Sequence, residues 1–140
     1  MKRIIYILSI TILTFLCGCN KCESSINRIE VKYDGFSECR FRSVSVSEYD
    51  NYLSDYNDTI IDKCLILDIV KEINHVTNQT PIDSAYNIDV RMRLSIIADS
   101  SHRDVYMDMF HLVDGDHCYH LPYESLLNIV SKIDKAAIAW

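Results

Sequence analysis

Ile88-Asp89-Val90-Arg91-Met92-Arg93-Leu94-Ser95-Ile96-Ile97-Ala98-Asp99 is apolar at every second position along its whole length. In an extended chain Ile88, Val90, Met92, Leu94, Ile96 and Ala98 share one face. Asp89, Arg91, Arg93, Ser95, Ile97 and Asp99 share the other. One dry face and one wet face describe a long antiparallel strand lying on a core. The residues after it supply partners. Asp99 to Arg103 turns the chain, and Asp104 to Leu112 reads as a returning strand, with Val105, Met107 and Met109 opposed by Tyr106, Asp108, Phe110 and Leu112. Asp114-Gly115 is a tight-turn signal, and Asp116 to Leu121 completes a three-stranded meander.

Working outward, Pro122 suits the first turn of a helix. Tyr123, Leu126, Leu127, Val130 and Ile133 give that helix an apolar stripe, and the apolar tail Ala136 to Trp140 follows it. Upstream, Ile66, Ile69, Val70, Ile73 and Val76 recur at helical spacing within Asp58 to Val76, with Thr59 or Asp62 as the cap. Thr59 to Ile61 is alternatively a short strand, which leaves Asp62 as the cap. Arg28 to Tyr33 alternates Ile29, Val31 and Tyr33 with Arg28, Glu30 and Lys32. Asp34-Gly35 then turns the chain into a second expected strand, Glu38 to Ser47, with a bulge near Ser43, and the pair forms a hairpin. Tyr49, Tyr52, Leu53 and Tyr56 recur at helical spacing, with Ser47 and Asp50 as a capping box. This tyrosine stripe is either a sugar-binding surface or, as favoured here, a short helix packing its rings on the sheet. Thr77 to Tyr86, containing Pro81, is a loop. The expected fold is α+β: a twisted antiparallel sheet of about five strands with two helices on one face, in the order ββ(α)αβββα. The face opposite the helices then carries Arg91, Arg93, Tyr106 and Phe110 as a candidate ligand or partner surface.

The N-terminal end reads as an address. Lys2 and Arg3 precede an apolar run from Ile4 to Leu16. A run of that length reaches roughly 20 Å as a helix, short of the roughly twenty apolar residues a bilayer span requires and the right size for a signal segment. Leu16-Cys17-Gly18-Cys19 follows. It resembles a lipobox, the processing site of bacterial lipoproteins, with Leu three residues before the cysteine and a small residue directly before it. Cys17 departs from the usual Ala, Ser or Thr of the middle position. The resemblance covers only these first residues. It implies that residues 1–18 are removed and that Cys19 carries diacylglycerol and an acyl chain such as palmitate. Residues 19–27 then serve as a lipidated tether, and 28–140 form a single α+β domain. It also implies a place in the cell envelope, held by lipid to a bacterial membrane. Asn20 stands where some retained lipoproteins carry Asp, so the outer membrane is the expected destination. From Asn20 to Asn27 the tether reaches at most about 25–28 Å. The order of helix, long strand, hairpin and closing helix also resembles small bacterial lipoproteins of undetermined function, a likeness that implies no activity.

The processed chain has about 120 residues, one domain's worth. Removing Lys2 and Arg3 leaves 12 Lys and Arg against 20 Asp and Glu, a formal net charge of −8. That balance excludes nucleic acid as a partner and an anionic lipid surface as a charge-driven one. The expected partners are the membrane, through the lipid on Cys19, and an envelope protein. Cys22, Cys39, Cys64 and Cys118 remain after processing. They allow three disulfide pairings, or else Cys39, Cys64 and Cys118 are small buried hydrophobes.

His111, Asp114, Asp116, His117, Cys118 and His120 form the best metal-like cluster. On a strand His117 and His120 point to opposite faces, as do His117 and Cys118, so only His111 and His117 converge across the hairpin. The plainer reading is an Asp-Gly turn flanked by surface histidines. Asp114-Gly115-Asp116 lacks the distal Glu of a calcium loop. The nucleophile elbow Gly-x-Ser-x-Gly is missing, and with 3 glycines a Gly-rich phosphate loop is excluded. Arg91 and Arg93, two apart on one face, suit either an anionic ligand or cross-strand pairing with acids such as Asp104 or Asp108; the second is favoured. The expectation is a non-catalytic binding or assembly module of the envelope, without cofactor. The alternative is a small-ligand or metal-binding module using the His111–His120 hairpin.

Overall fold

The structure, a computed structural model, describes residues 25–36, 42–54, 56–82 and 88–138. The lipobox, the tether to residue 24, residues 38–41 of the expected strand Glu38 to Ser47, and Trp140 lie outside them. Along the chain the elements are β1 (Ile26–Tyr33), α1 (Val46–Tyr49), β2 (Tyr56–Ile60), α2 (Lys63–Thr77), β3 (Met92–Ala98), β4 (His102–Met107), β5 (His111–Asp114), β6 (His117–His120) and α3 (Tyr123–Ile138). The six strands form one antiparallel sheet in the order β2-β1-β3-β4-β5-β6. The fold is α+β, as expected, with six strands among the described residues.

The alternation of β3 does what period two requires. Met92, Leu94 and Ile96 are buried toward α2 and α3, together with Ile29 and Val31 of β1, Val105 and Met107 of β4 and Leu112 of β5. Ile66, Ile69, Ile73 and Val76 of α2 are wholly buried against them. Each such side chain contributes about 1.5–3 kcal/mol on leaving water, so this stripe alone outweighs the helix's modest intrinsic tendency to form. Asp62 starts α2, its Oδ1 accepting from the Cys64 N–H at 2.8 Å and the Leu65 N–H at 3.1 Å. Arg103 ties the helix to the sheet, with a bidentate bond to Asp114 at 3.0 and 2.7 Å and a third bond to Asn74 at 3.0 Å.

Several expectations are corrected. Arg42 to Ser45 is not strand, Val46–Tyr49 is a helical turn, and β1 has β2 on one side and β3 on the other rather than a hairpin partner in residues 42–47. The polar run Tyr56–Ile60 takes the edge beside β1, so the short-strand alternative for Thr59 to Ile61 is the better of the two. The start of α1 is organised by Ser45 and Glu48 rather than by Ser47 and Asp50; the Glu48 carboxylate accepts from the Ser45 N–H at 3.1 Å. Residues 104–112 are not one strand. The chain turns at Asp108 to Phe110 and makes β4 and β5. In α3 the buried residues are Ser125, Leu126, Ile129 and Ile133, while Tyr123 and Leu127 face solvent; Ile129 replaces them on the stripe. Cys64 is exposed, because it lies on the first turn of α2 opposite the stripe, and Cys118 is buried. Both are free thiols. The Asp114-Gly115 signal is a two-residue hairpin. Gly115 has φ +58° and Asp116 has no positive φ, the pattern of a type II′ turn in which the first residue is best a glycine.

Candidate functional site

The sheet face away from α2 and α3 is partly covered. α1 and the turn after it lie on that face near the C-terminal end of β1. Tyr49 is fully buried with Val44 and Val90, flanked by Val46, Tyr52 and Tyr106. The Tyr49 hydroxyl donates to the Arg91 carbonyl at 2.9 Å, and the Tyr49 and Tyr52 rings stack with centroids 6.1 Å apart. Tyr49 and Tyr52 thus pack on the sheet, as the favoured sequence reading has it, whereas Leu53 is exposed and Tyr56 belongs to β2. Val90, expected on the main core, belongs to this second cluster instead, because the chain leaves the ladder before β3 begins. Arg93 and Tyr106 both reach the Asp50 Oδ1, at 2.6 and 3.3 Å. Burial first, then the carboxylates of Asp50 and Asp104, push the Tyr106 phenol up. The four residues expected to form one open surface are therefore split. Arg93 and Tyr106 lie beside α1, and Arg91 and Phe110 lie at the end of the sheet.

At that end a cavity of about 310 Å³ is lined by Phe36, Asp89, Arg91, Asp108, Met109, Phe110 and His111. Three elements build it: the exit of β1, the entry of β3 and the turn between β4 and β5. The β3–β4 register, Met92 opposite Met107, brings Arg91 beside that turn, and the Arg91 N–H donates to the Met107 carbonyl at 2.8 Å. Asp108 shapes the turn. Its Oδ1 accepts from the Phe110 N–H at 2.7 Å and the His111 N–H at 2.6 Å, the local side-chain turn that Asp makes well. His111 Nδ1 lies 3.0 Å from Asp108 Oδ2. Arg91, whose side chain is 11% exposed, pairs with Asp89 at 2.6 and 2.9 Å. The acid partners foreseen for the arginines, Asp104 and Asp108, are thus replaced by Asp89 and Asp50. Around these polar groups sit two large apolar side chains in water, Phe110 at 59% and Met109 at 39% exposure.

Comparison with protein-family models, with curated proteins and with solved structures finds no match. The site's chemistry must be read from its own groups. Asp108 and His111 make a carboxylate–imidazole pair, which in an enzyme would orient a general base. Among the described residues, Cys118 is ill suited to be its nucleophile. Burial, then the Asp108 carboxylate, push the Cys118 thiol up, opposite to the lowered value a reactive thiolate needs.

The histidines fall differently from expectation. The β5–β6 register sets His111 opposite His120 and His117 opposite Asp114. His111 and His120 share a face, and His117 lies on the other, so His111 and His117 do not converge. Among the described residues no group of three or more His, Cys, Asp or Glu is placed to hold a metal ion, and no helix is long and apolar enough to cross a membrane. Phe36, Asp89 and Met109 carried no functional signal in the sequence. Asp108 did carry one, as an Asp two and three residues before N–H groups that need an acceptor, but it sits within an alternation that also reads as strand.

Proposed function

We propose that the chain is a lipid-anchored protein of the cell envelope and that its domain is a non-catalytic binding module. The cavity at the end of the sheet grips an apolar side chain of an envelope protein. One observation carries this reading: exposed Phe110 and Met109 rim a cavity whose charged groups already have partners, Asp89 with Arg91 and Asp108 with the Phe110 and His111 backbone N–H groups. An incoming apolar group would meet no lone buried charge. Full burial of Phe110 alone would contribute about 1.5–3 kcal/mol. The lipid anchor on Cys19 and the place in the outer membrane rest on the lipobox resemblance.

The test is site-specific photo-cross-linking in the native host, with the reactive residue at position 110 or, as a control, at Leu53, which is 92% exposed. The reading expects one dominant envelope protein at position 110, absent at position 53, and release of the chain from the membrane fraction by Cys19→Ala. Equal products at both positions would refute the binding site, and a Cys19→Ala chain still in the membrane would refute the anchor. The second reading, a small-ligand module on the His111–His120 hairpin, draws on the pairing of those two histidines across β5 and β6. It expects a small molecule, rather than a protein, to protect His111 and His120 together from chemical modification.

A further inference from the structure

A second cavity, of about 230 Å³, lies on the same sheet face nearer the β2 edge, lined by Glu30, Val31, Lys32, Asn57, Asp58, Thr59 and Arg93. Its geometry follows from register. Lys32 stands directly opposite Asn57 on one side and Arg93 on the other. Two cations in direct cross-strand opposition repel each other, so the sheet needs carboxylates here. Among the described residues Asp50 is the acid that bonds one of them directly, Arg93 Nη1 at 2.6 Å, with Asp34 acting on Lys32 and Asp104 on Arg93 from farther off. Lys32 Nζ donates instead to two neutral carbonyls, those of Tyr49 at 2.8 Å and Asp50 at 3.1 Å.

The neighbouring acids are committed elsewhere. Glu30 pairs with Arg28 at 2.9 Å, Asp104 accepts from Ser95 and lies 3.2 Å from His102, and Asp58 takes the Thr59 N–H at 2.6 Å and the Tyr56 hydroxyl at 3.1 Å. Arg93 Nε is buried and has no hydrogen-bond partner among the described residues, a condition that costs free energy. Nε and Nη2 form the edge of a guanidinium that takes an oxyanion through two parallel bonds. Burial, then the neighbouring Arg93, hold the Lys32 amine below its ordinary range against the opposing pull of Asp50 and Asp34.

We propose that this cavity binds a small oxyanion, a phosphate or carboxylate group, between Lys32 and Arg93, with Thr59 and Asn57 as neutral donors at its outer wall. The anion would place a negative charge directly beside the Lys32 amine and accept from Arg93 Nε after a small shift of the side chain.

The test is NMR titration of the full chain in detergent with inorganic phosphate, with acetate, and with phosphatidylglycerol vesicles in separate arms. The Arg93 Nε–H and Thr59 amide resonances should shift saturably with phosphate or acetate. The arm that saturates at lower concentration says which oxyanion is preferred. Arg93→Gln should weaken binding at least about tenfold, the value of one charge-assisted bond. Thr59→Val, an exposed change that strands accept, should weaken it several-fold and decides the matter if Arg93→Gln fails to fold. No saturable shift with either soluble anion, including a response to vesicles alone, would overturn the proposal. So would binding unchanged in both variants. Because Phe110 and Met109 take no part, failure here leaves the sheet-end site untouched, and failure there leaves this one.

Discussion

Asp108 joins the fold to the sheet-end site, and its removal has a calculable cost. Its carboxylate accepts two backbone N–H groups, from Phe110 at 2.7 Å and from His111 at 2.6 Å, and faces His111 Nδ1 at 3.0 Å. Asp108→Ala leaves both backbone donors without an acceptor in a part-buried turn. Each orphaned donor costs about 1–3 kcal/mol. With water able to reach part of this turn, the low end of that range applies, about 1–1.5 kcal/mol each and about 2–3 kcal/mol for the two together. The lost His111 contact adds about 0.5–1 kcal/mol. A loss of about 3 kcal/mol lowers the Tm of a domain this size by roughly 12–20 °C. Asp108→Asn keeps one acceptor oxygen for the two backbone N–H groups but loses the charge and turns Oδ2 into an NH2 donor facing His111, so it should cost about 1 kcal/mol. Because the partners share one network, Asp108→Ala with His111→Ala should cost less than the two singles combined. Urea unfolding followed by circular dichroism measures all of these. If Asp108→Ala stays within about 0.5 kcal/mol of the parent, the turn is not held by this carboxylate and the account of the β4–β5 boundary is wrong.

Three other outcomes follow. The Arg42 guanidinium, with the Ser45 backbone and hydroxyl, holds the Glu48 carboxyl down at about 2 from its usual 4.5. The start of α1 should therefore keep its full stability above about pH 4.5 and lose this contribution as pH falls through 2; a carbon-NMR midpoint for Glu48 above 4 would contradict this. Native-state maleimide labelling with peptide mapping should modify Cys64 and spare Cys118 even in mildly alkaline buffer, because burial both hides the Cys118 thiol and raises its pKa; equal labelling of the two would count against its burial. Ile69→Ala should cost about 2–5 kcal/mol in urea unfolding, as a wholly buried residue of the α2 stripe, whereas Leu127→Ala, 47% exposed, should cost under about 0.5 kcal/mol; similar values would mean that the faces of the two helices are misassigned.

The parts of the fold that sequence reveals are those where one period runs long enough to exclude another. β3 shows in its parity and α2 in its stripe of Ile66, Ile69, Ile73 and Val76. The parts it hides are short or polar. Tyr-Asn-Asp-Thr-Ile makes the edge strand β2 with only Ile60 buried, so no alternation announces it. Four residues of α1 are too few to show helical spacing. Asp108-Met109-Phe110-His111 continues the parity of β4 through a turn, because its acceptor is a side chain rather than a glycine or proline. Arg91, Phe110 and His111 each drew notice as individual residues. Their meeting at one cavity depends on the β3–β4 register and on that hidden turn, neither of which a linear pattern contains. The opposition of Lys32 and Arg93 likewise exists only once β1 and β3 are paired.

The most direct measurement of the account is the intact mass, and the N-terminal peptide, of the protein isolated from its native host. A chain beginning at Cys19 and heavier by a thioether-linked diacylglycerol is the predicted result. An intact Met1, or an unmodified thiol at Cys19, would contradict it and remove the membrane-tethered setting in which the binding module is proposed to work.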